Sequence, residues 1–238
     1  MTIAQQRTFL TAEWKNLLML NYAIDPALLQ EFVPAGTELD QFASKTYVSL
    51  IGFEFNMTRI LGRAIPFHQS FEEVNLRFYV RRGERRGVVF IRELVPRFAV
   101  AAIARLAYGE RYSAVPMSHR VERSATEAFA EFCWGTGAGR CAISASTCAQ
   151  SYLPDEGSLP QFITEHYWGY ATQRSGGTKE YQVEHPRWIV SDAIASQFIG
   201  NAEKYYGSQF AKVLANPPDS AFLAEGSAVT VFKGARID

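Results

Sequence analysis

Polar and apolar residues alternate along FEEVNLRFYVRR at positions 71–82, so an extended chain sends Val74, Leu76, Phe78 and Val80 to one side. Glu73, Asn75, Arg77, Tyr79 and Arg81 go to the other. The pattern predicts a strand with one buried face. Its second face mixes acid, amide, base and phenol, which suits either a solvated surface or the lining of a cavity. The RRGERRG turn at 81–87 then leads into GVVFIREL, predicting a β-hairpin with a solvated tip. Aromatic and β-branched runs predict further strands around residues 14–22, within ELDQFASKTYVSLIGFEFNMTRI, in RYSAVPMSHRVE, TEAFAEFCW and RCAISAST, in KEYQVEHPRWIV and in SAVTVFKG.

Helical patterns are fewer. Asp25 and Pro26 supply an N-cap and a first-turn proline for a short helix through Phe32. RFAVAAIARLAY predicts a second, with Phe98, Ala101, Ala102, Arg105 and Leu106 at helical spacing and Gly109 as its stop. Ser158 caps a third, whose apolar face would carry Leu159, Phe162, Ile163, His166, Tyr167 and Tyr170. A last helical region is expected over roughly 198–214, broken by NPPDS. Many strands with a few inserted helices predict an α+β fold around a large, curved antiparallel sheet. Curled into a barrel or cone, such a sheet would hold polar side chains against a cavity while helices cover its apolar exterior. No repeat or linker divides the chain, so residues 1–238 are expected to form one domain.

Composition narrows the range of partners. Lysine plus arginine and aspartate plus glutamate number 24 each, so no net field draws the chain to nucleic acid or an anionic membrane. MTIAQQRTFLTAEWKNLLML lacks the pattern of a secretory signal, and the apolar runs stop short of membrane-spanning length, so a cytoplasmic protein is expected. Cys133, Cys141 and Cys148 lack paired spacing and are read as small apolar fillers, with neither a disulfide nor a metal role expected. GTGAG has strand patterns on both sides, unlike a phosphate-cradling loop, and no nucleophile-elbow or zinc motif occurs.

Three blocks, LNYAIDPALLQEFVPAGTELD, FEEVNLRFYV and GSLPQFITEHYWGY, resemble the uncharacterised DUF2071 (YqjF-like) family in their expected order. That family in turn resembles the acetoacetate decarboxylase-like superfamily. This likeness implies a cone-shaped antiparallel β-barrel with a buried polar cavity and helices packed outside. It also implies a cavity-facing glutamate on the FEEVNLRFYV strand, carried onto Glu73 with Glu72 as the rival. The decarboxylase's Schiff-base lysine pair would fall near Tyr112 and Ser113 in ARLAYGERYSAV, where no lysine occurs. The resemblance therefore does not extend to β-keto acid decarboxylation by that route.

The candidate site centres on Glu73, Asn75 and Arg77. Alternate residues of one strand project about 7 Å apart, so Arg77 could pair with a ligand carboxylate, Glu73 exchange a proton and Asn75 orient the ligand. His166 is the second acid–base candidate, against an ordinary core histidine, because it is expected on an apolar face and could titrate near neutral pH. Tyr79, Tyr112, Arg92 and His68 complete the expected ligand-binding set, His68 at the cavity mouth. Arg92 and Glu93 point to opposite faces of a mostly apolar strand, so at least one charge must find a buried partner. No cofactor is expected. Three functions stay open: an enzyme of lyase- or hydrolase-like acid–base chemistry without a Schiff base, a non-catalytic module that binds or senses a metabolite, and a structural protein with an internal polar network. A small organic molecule, carrying a carboxylate, is the expected partner of the first two; oligomeric state is left open.

Overall fold

The computed structural model describes residues 7–148 and 150–237, apart from the side chain of Leu106. The start of the N-terminal segment considered for a signal, residues 1–6, and the expected helix-face side chain of Leu106 lie outside the described residues. Among the described residues, fifteen strands form one sheet. They are β1 (Thr8–Ile24), β2 (Glu38–Leu39), β3 (Thr46–Ile60), β4 (Arg63–Ala64), β5 (Phe71–Arg82), β6 (Arg85–Val95), β7 (Tyr112–Ala114) and β8 (Met117–Arg123). After these come β9 (Glu127–Trp134), β10 (Cys141–Cys148), β11 (Trp168–Thr172), β12 (Thr178–Glu184), β13 (Val190–Gly200), β14 (Ser220–Phe232) and β15 (Ala235–Ile237). The α-helices are α1 (Phe98–Tyr108), α2 (Leu159–Thr164), α3 (Glu203–Tyr206) and α4 (Ser208–Leu214).

The main path of pairing runs β15-β12-β11-β6-β5-β3-β1-β14-β13-β10-β9-β8. β12 also pairs β14 through Val183↔Val231 and Glu184↔Thr230, so the route β12-β11-β6-β5-β3-β1-β14 returns to its start. Most pairs are antiparallel. The two parallel pairs, β6 with β7 and β6 with β11, depart from the all-antiparallel expectation because both partners re-enter beside β6 after a helix-containing segment.

β5 is buried on both faces from Glu73 to Val80. Its apolar row packs with Leu18, Leu20, Val48 and Leu50 of β1 and β3, and that core continues into Phe132 and Trp134 of β9 and Tyr205, Tyr206 and Phe210 of α3 and α4. Each such side chain, fully buried, contributes roughly 1.5–3 kcal/mol. This apolar side of the sheet is thus covered by β9 and β10 as well as by helices α3 and α4. The layers meet closely at Gly52, where a Cβ would lie 2.6 Å from Phe132 Cγ. Helices α1 and α2 lie on the opposite side, with Ala101, Phe162 and Ile163 in a second core beside Ile51, Phe53, Phe55, Phe71 and Trp188.

Four local expectations change. The chain after Asp25 forms two 3-10 turns, Pro26–Leu28 and Gln30–Phe32, instead of one helix. Asp25 does cap the first, accepting a 2.9 Å hydrogen bond from the Ala27 amide. Helix α2 ends at Thr164, so His166, Tyr167 and Tyr170 do not share its face; Tyr170 belongs to β11, held by pairing with Glu180. β13 extends to Gly200 because Phe198 and Ile199 pair with Ile143 and Ala142, which delays the last helical region to residue 203. The hairpin tip is solvent-exposed as expected, and its arginines carry acidic partners: Arg86 reaches Asp40 at 2.7 Å, Arg85 reaches Glu180 at 2.7 Å and Arg81 reaches Glu38 at 3.0 Å. Among the described residues no helix is long and apolar enough to cross a membrane. Cys133 and Cys141 are buried, whereas Cys148 is exposed and fills no core.

Candidate functional site

A cavity of about 130 Å³ borders the inner face of β5, with Glu73, Asn75 and Arg77 all in its wall. Their exposures are 3%, 2% and 8%, so this row is not a solvated strand face. Register explains how the neighbours arrive. Glu73 stands opposite Phe53, Asn75 opposite Ile51 and Arg77 opposite Ser49 on β3, while Asn75 faces Glu93 on β6. Glu93, at 1% exposure, therefore enters the same cavity wall. Arg92 turns to the other face and donates to Tyr205 O and Ser113 Oγ at 3.3 and 3.2 Å.

Few of the polar groups are fully satisfied by the protein. Glu73 accepts from Asn75 Nδ2 at 3.0 Å and from the Tyr112 hydroxyl at 3.2 Å. Arg77 Nη2 donates to Ile163 O at 3.1 Å. Asn75 Oδ1, Arg77 Nε, Glu93 Oε2 and both ring nitrogens of His166 are buried without a hydrogen-bond partner among the described residues. Leaving a buried polar atom unpaired costs about 1–3 kcal/mol, so these atoms ask for a ligand or ordered water.

The site also contains more carboxyls than expected. Glu110, just beyond α1, lines the cavity and accepts from the Tyr181 hydroxyl. Burial pushes the Glu73 carboxyl up to about 7, against the hydrogen bonds from Asn75 and Tyr112 and the charge of Arg77. Burial likewise raises Glu110 to about 8, with the charge of Glu73 adding to it. Glu93 is driven well above the ordinary range by burial and then by the charges of Glu110 and Glu73. The three carboxyls titrate as a linked group. Near neutral pH such a cluster holds protons that it can give and take back.

His166 is buried and borders the cavity, with Asp40 Oδ2 3.8 Å from its Nε2, too far for a good hydrogen bond. Burial, helped by the charges of Arg86 and Arg77, lowers its pKa to about 4 despite Asp40. The imidazole is therefore neutral at physiological pH, which corrects the expectation that it titrates near neutrality. Asp40 itself sits at about 2: burial works against its charge, but its contacts with His166 and Arg86 outweigh that.

His68 and Tyr112 also border the cavity, His68 half-buried with Nδ1 2.8 Å from Pro66 O. Three predicted residues stand elsewhere. Glu72 points to the opposite face of β5, where it meets His119 Nδ1 at 2.9 Å. Arg92 is on that outward side too, as described above. Tyr79 faces inward but is outside the cavity wall, its hydroxyl 2.5 Å from Ser49 Oγ and its ring against Phe162 and His166.

Glu93, Glu110 and Tyr181 were not among the predicted ligand-binding residues. The signal for Glu93 was its charge on the inward parity of an apolar strand; a single acid after a helix stop gave none for Glu110. The aromatic lining was also missed. Phe55 and Phe71 stack at 4.8 Å, Trp14 packs on Phe53 and Phe55 at 5.3 and 5.7 Å, and Trp188 joins Trp14 at 6.1 Å. All five line the cavity. No grouping of His, Cys, Asp and Glu among the described residues could hold a metal ion.

Residues 11–228 match the model of DUF2071, described as an uncharacterised conserved protein. The chain belongs to the DUF2071 family. It is 25% identical over 198 residues to the uncharacterised protein YqjF of Bacillus subtilis (strain 168), a match covering 82% of this chain and 80% of that one. Among solved structures it is similar to an acetoacetate decarboxylase-like enzyme from Sphingomonas wittichii RW1, with TM-score 0.69, 12% identity, and coverage of 97% of this chain and 94% of that one. The enduracididine biosynthesis enzyme MppR complexed with pyruvate gives TM-score 0.74 at 12% identity, covering 100% and 93%. The acetoacetate decarboxylase of Legionella pneumophila gives 0.69 at 11%, covering 97% and 87%. At these identities the likeness is one of fold.

Proposed function

We propose that this DUF2071 protein binds a small organic carboxylate in its cavity and moves a proton on it without a Schiff base. In this reading the returning circuit of strands is a cone-shaped barrel, and the inner row of β5 is its working surface. Arg77 clamps the ligand carboxylate, using the Nε–H that has no protein partner. Glu73, with a pKa near 7, is the acid–base group, and Asn75 and Tyr112 hold its two oxygens. Neutral His166 offers a hydrogen bond to the bound ligand. Glu93 and Glu110 keep the neighbouring space protonated and so limit repulsion of an anion.

The observation that carries this reading is the coincidence of unpaired buried donors with a near-neutral carboxyl in one cavity wall. Support against the Schiff-base route is the absence of all six lysines from that wall among the described residues. At the position to which the resemblance assigned a lysine, the Tyr112 hydroxyl donates to Glu73 instead. The test is incorporation of solvent deuterium into a panel of keto and hydroxy acids. Wild type should label at least one acid and Glu73→Gln should not, with no protein adduct after borohydride. Binding of acids without labelling would make the protein a binding module, and a lysine adduct would overturn the mechanism.

A further inference from the structure

The cavity wall changes character along β5 and β3. From Arg77↔Ser49 and Asn75↔Ile51 it passes through Glu73↔Phe53 to Phe71↔Phe55, and Trp14 on β1 pairs beside Phe55. One end is therefore cationic and polar; the other is a continuous aromatic wall. Six residue steps lead from Phe71 to Arg77, about 20 Å of backbone at roughly 3.3 Å each. Glu73 stands at the junction. Tail length has room to matter, because an acid of two or three carbons held at Arg77 would leave the stacked Phe55–Phe71 pair and the Trp14–Phe53 edge contact facing an unfilled space. Apolar surface of that kind favours an apolar occupant, while the buried guanidinium requires an anion.

From this gradient we infer that the ligand class is a monocarboxylic acid with an aryl or branched-alkyl tail, carboxylate toward Arg77 and tail against Trp14, Phe53, Phe55 and Phe71. The inference rests on the carboxylate-binding reading above and adds the tail. It also places Glu73 next to the carbons that join tail and carboxylate, the segment where a proton transfer would act. A specificity set by the aromatic wall would be separate from the anion clamp, because the two occupy different levels of the same strand.

Calorimetric titration of the full chain with acetate, phenylacetate and benzyl alcohol separates the two claims. Phenylacetate should bind at least tenfold tighter than acetate, equivalent to about 1.4 kcal/mol, and benzyl alcohol should bind at least tenfold weaker than phenylacetate. Equal affinities for acetate and phenylacetate would overturn the inferred tail while leaving the carboxylate site in place. Equal affinities for benzyl alcohol and phenylacetate, or no binding of either acid, would overturn the carboxylate reading and the inference with it. Trp14→Phe keeps a ring in the wall, and Phe55→Leu shortens it. Loss of affinity for phenylacetate but not acetate in folded Phe55→Leu supports the tail assignment; an unchanged ratio contradicts it. The wild-type panel decides the matter even if that variant does not fold.

Discussion

Arg77 and Glu73 share the inner face of β5 four residues apart, yet no ion pair joins them: the guanidinium donates to Ile163 O and the carboxyl is held by Asn75 and Tyr112. The charge of Arg77 still lowers the Glu73 pKa, though less than burial raises it. In the proposed function, an anion would enter between a buried cation with its own backbone anchor and a buried acid with its own donors, breaking neither set. Arg77→Met should reduce carboxylate binding by at least about thirtyfold, since truncating one partner of a buried charge pair costs about 2–5 kcal/mol. The same variant should raise the Glu73 titration midpoint, which infrared difference spectra of the carboxyl would detect.

Glu73→Gln should alter the pH dependence of stability in a defined window. The folded carboxyl titrates at about 7 against 4.5 for its ordinary value. Between those values the folded chain holds a proton that the unfolded chain has released. The stability contribution is thus fully present below pH 4.5 and is lost as pH rises through 7. Removing it should flatten that decline by on the order of 3 kcal/mol, as measured by urea unfolding at a series of pH values.

His166→Gln should act with the opposite slope. Its folded pKa of about 4 lies below the ordinary 6.5, so the neutral ring stabilises the fold above pH 6.5 and that contribution is lost as pH falls through 4. The substitution should lessen the acid-side loss of stability over this window. A steeper acid limb in the same unfolding series would contradict the assignment of a neutral imidazole.

Gly169→Ala tests how closely the strands support the cluster. A Cβ at Gly169 would lie 2.1 Å from Tyr181 Cζ, and Tyr181 is the donor to Glu110. The ring must move, so the variant should lose about 1–3 kcal/mol of stability by overpacking and weaken the Tyr181–Glu110 hydrogen bond. An unchanged melting temperature together with an unchanged Glu110 titration would show that Tyr181 does not confine position 169.

The strands were the most legible part of the sequence, because alternation in FEEVNLRFYV and β-branched runs elsewhere report burial on one face. Glu73, Asn75 and Arg77 could be grouped on one face from parity alone, but turning that face toward a cavity took the family resemblance. Local pattern could not say that His166 lies beyond the end of α2, since Phe162 and Ile163 continue the helical spacing until the chain turns into β11. Nor could it resolve Glu72 from Glu73 without the resemblance; the paired register settles it by placing Glu72 opposite Glu54 and within reach of His119. Glu110 and Tyr181 meet across 71 residues, and such a long-range contact leaves no trace in a local window. The aromatic wall was hidden for a related reason: its rings come from β1, β3, β5 and the segment before β13, and each looks like ordinary core within its own strand.

Where an anion binds beside a carboxyl that titrates near neutral pH, binding takes up protons, so proton uptake tests the anion site and the carboxyl at once. Calorimetry of phenylacetate binding at pH 7, in two buffers of different ionisation enthalpy, counts the protons exchanged. An anion entering beside Glu73, whose pKa is already about 7, raises that pKa further. Wild type is therefore predicted to take up a fraction of a proton on binding, and Glu73→Gln to take up less. Binding with no buffer dependence, or uptake unchanged in Glu73→Gln, would contradict the account.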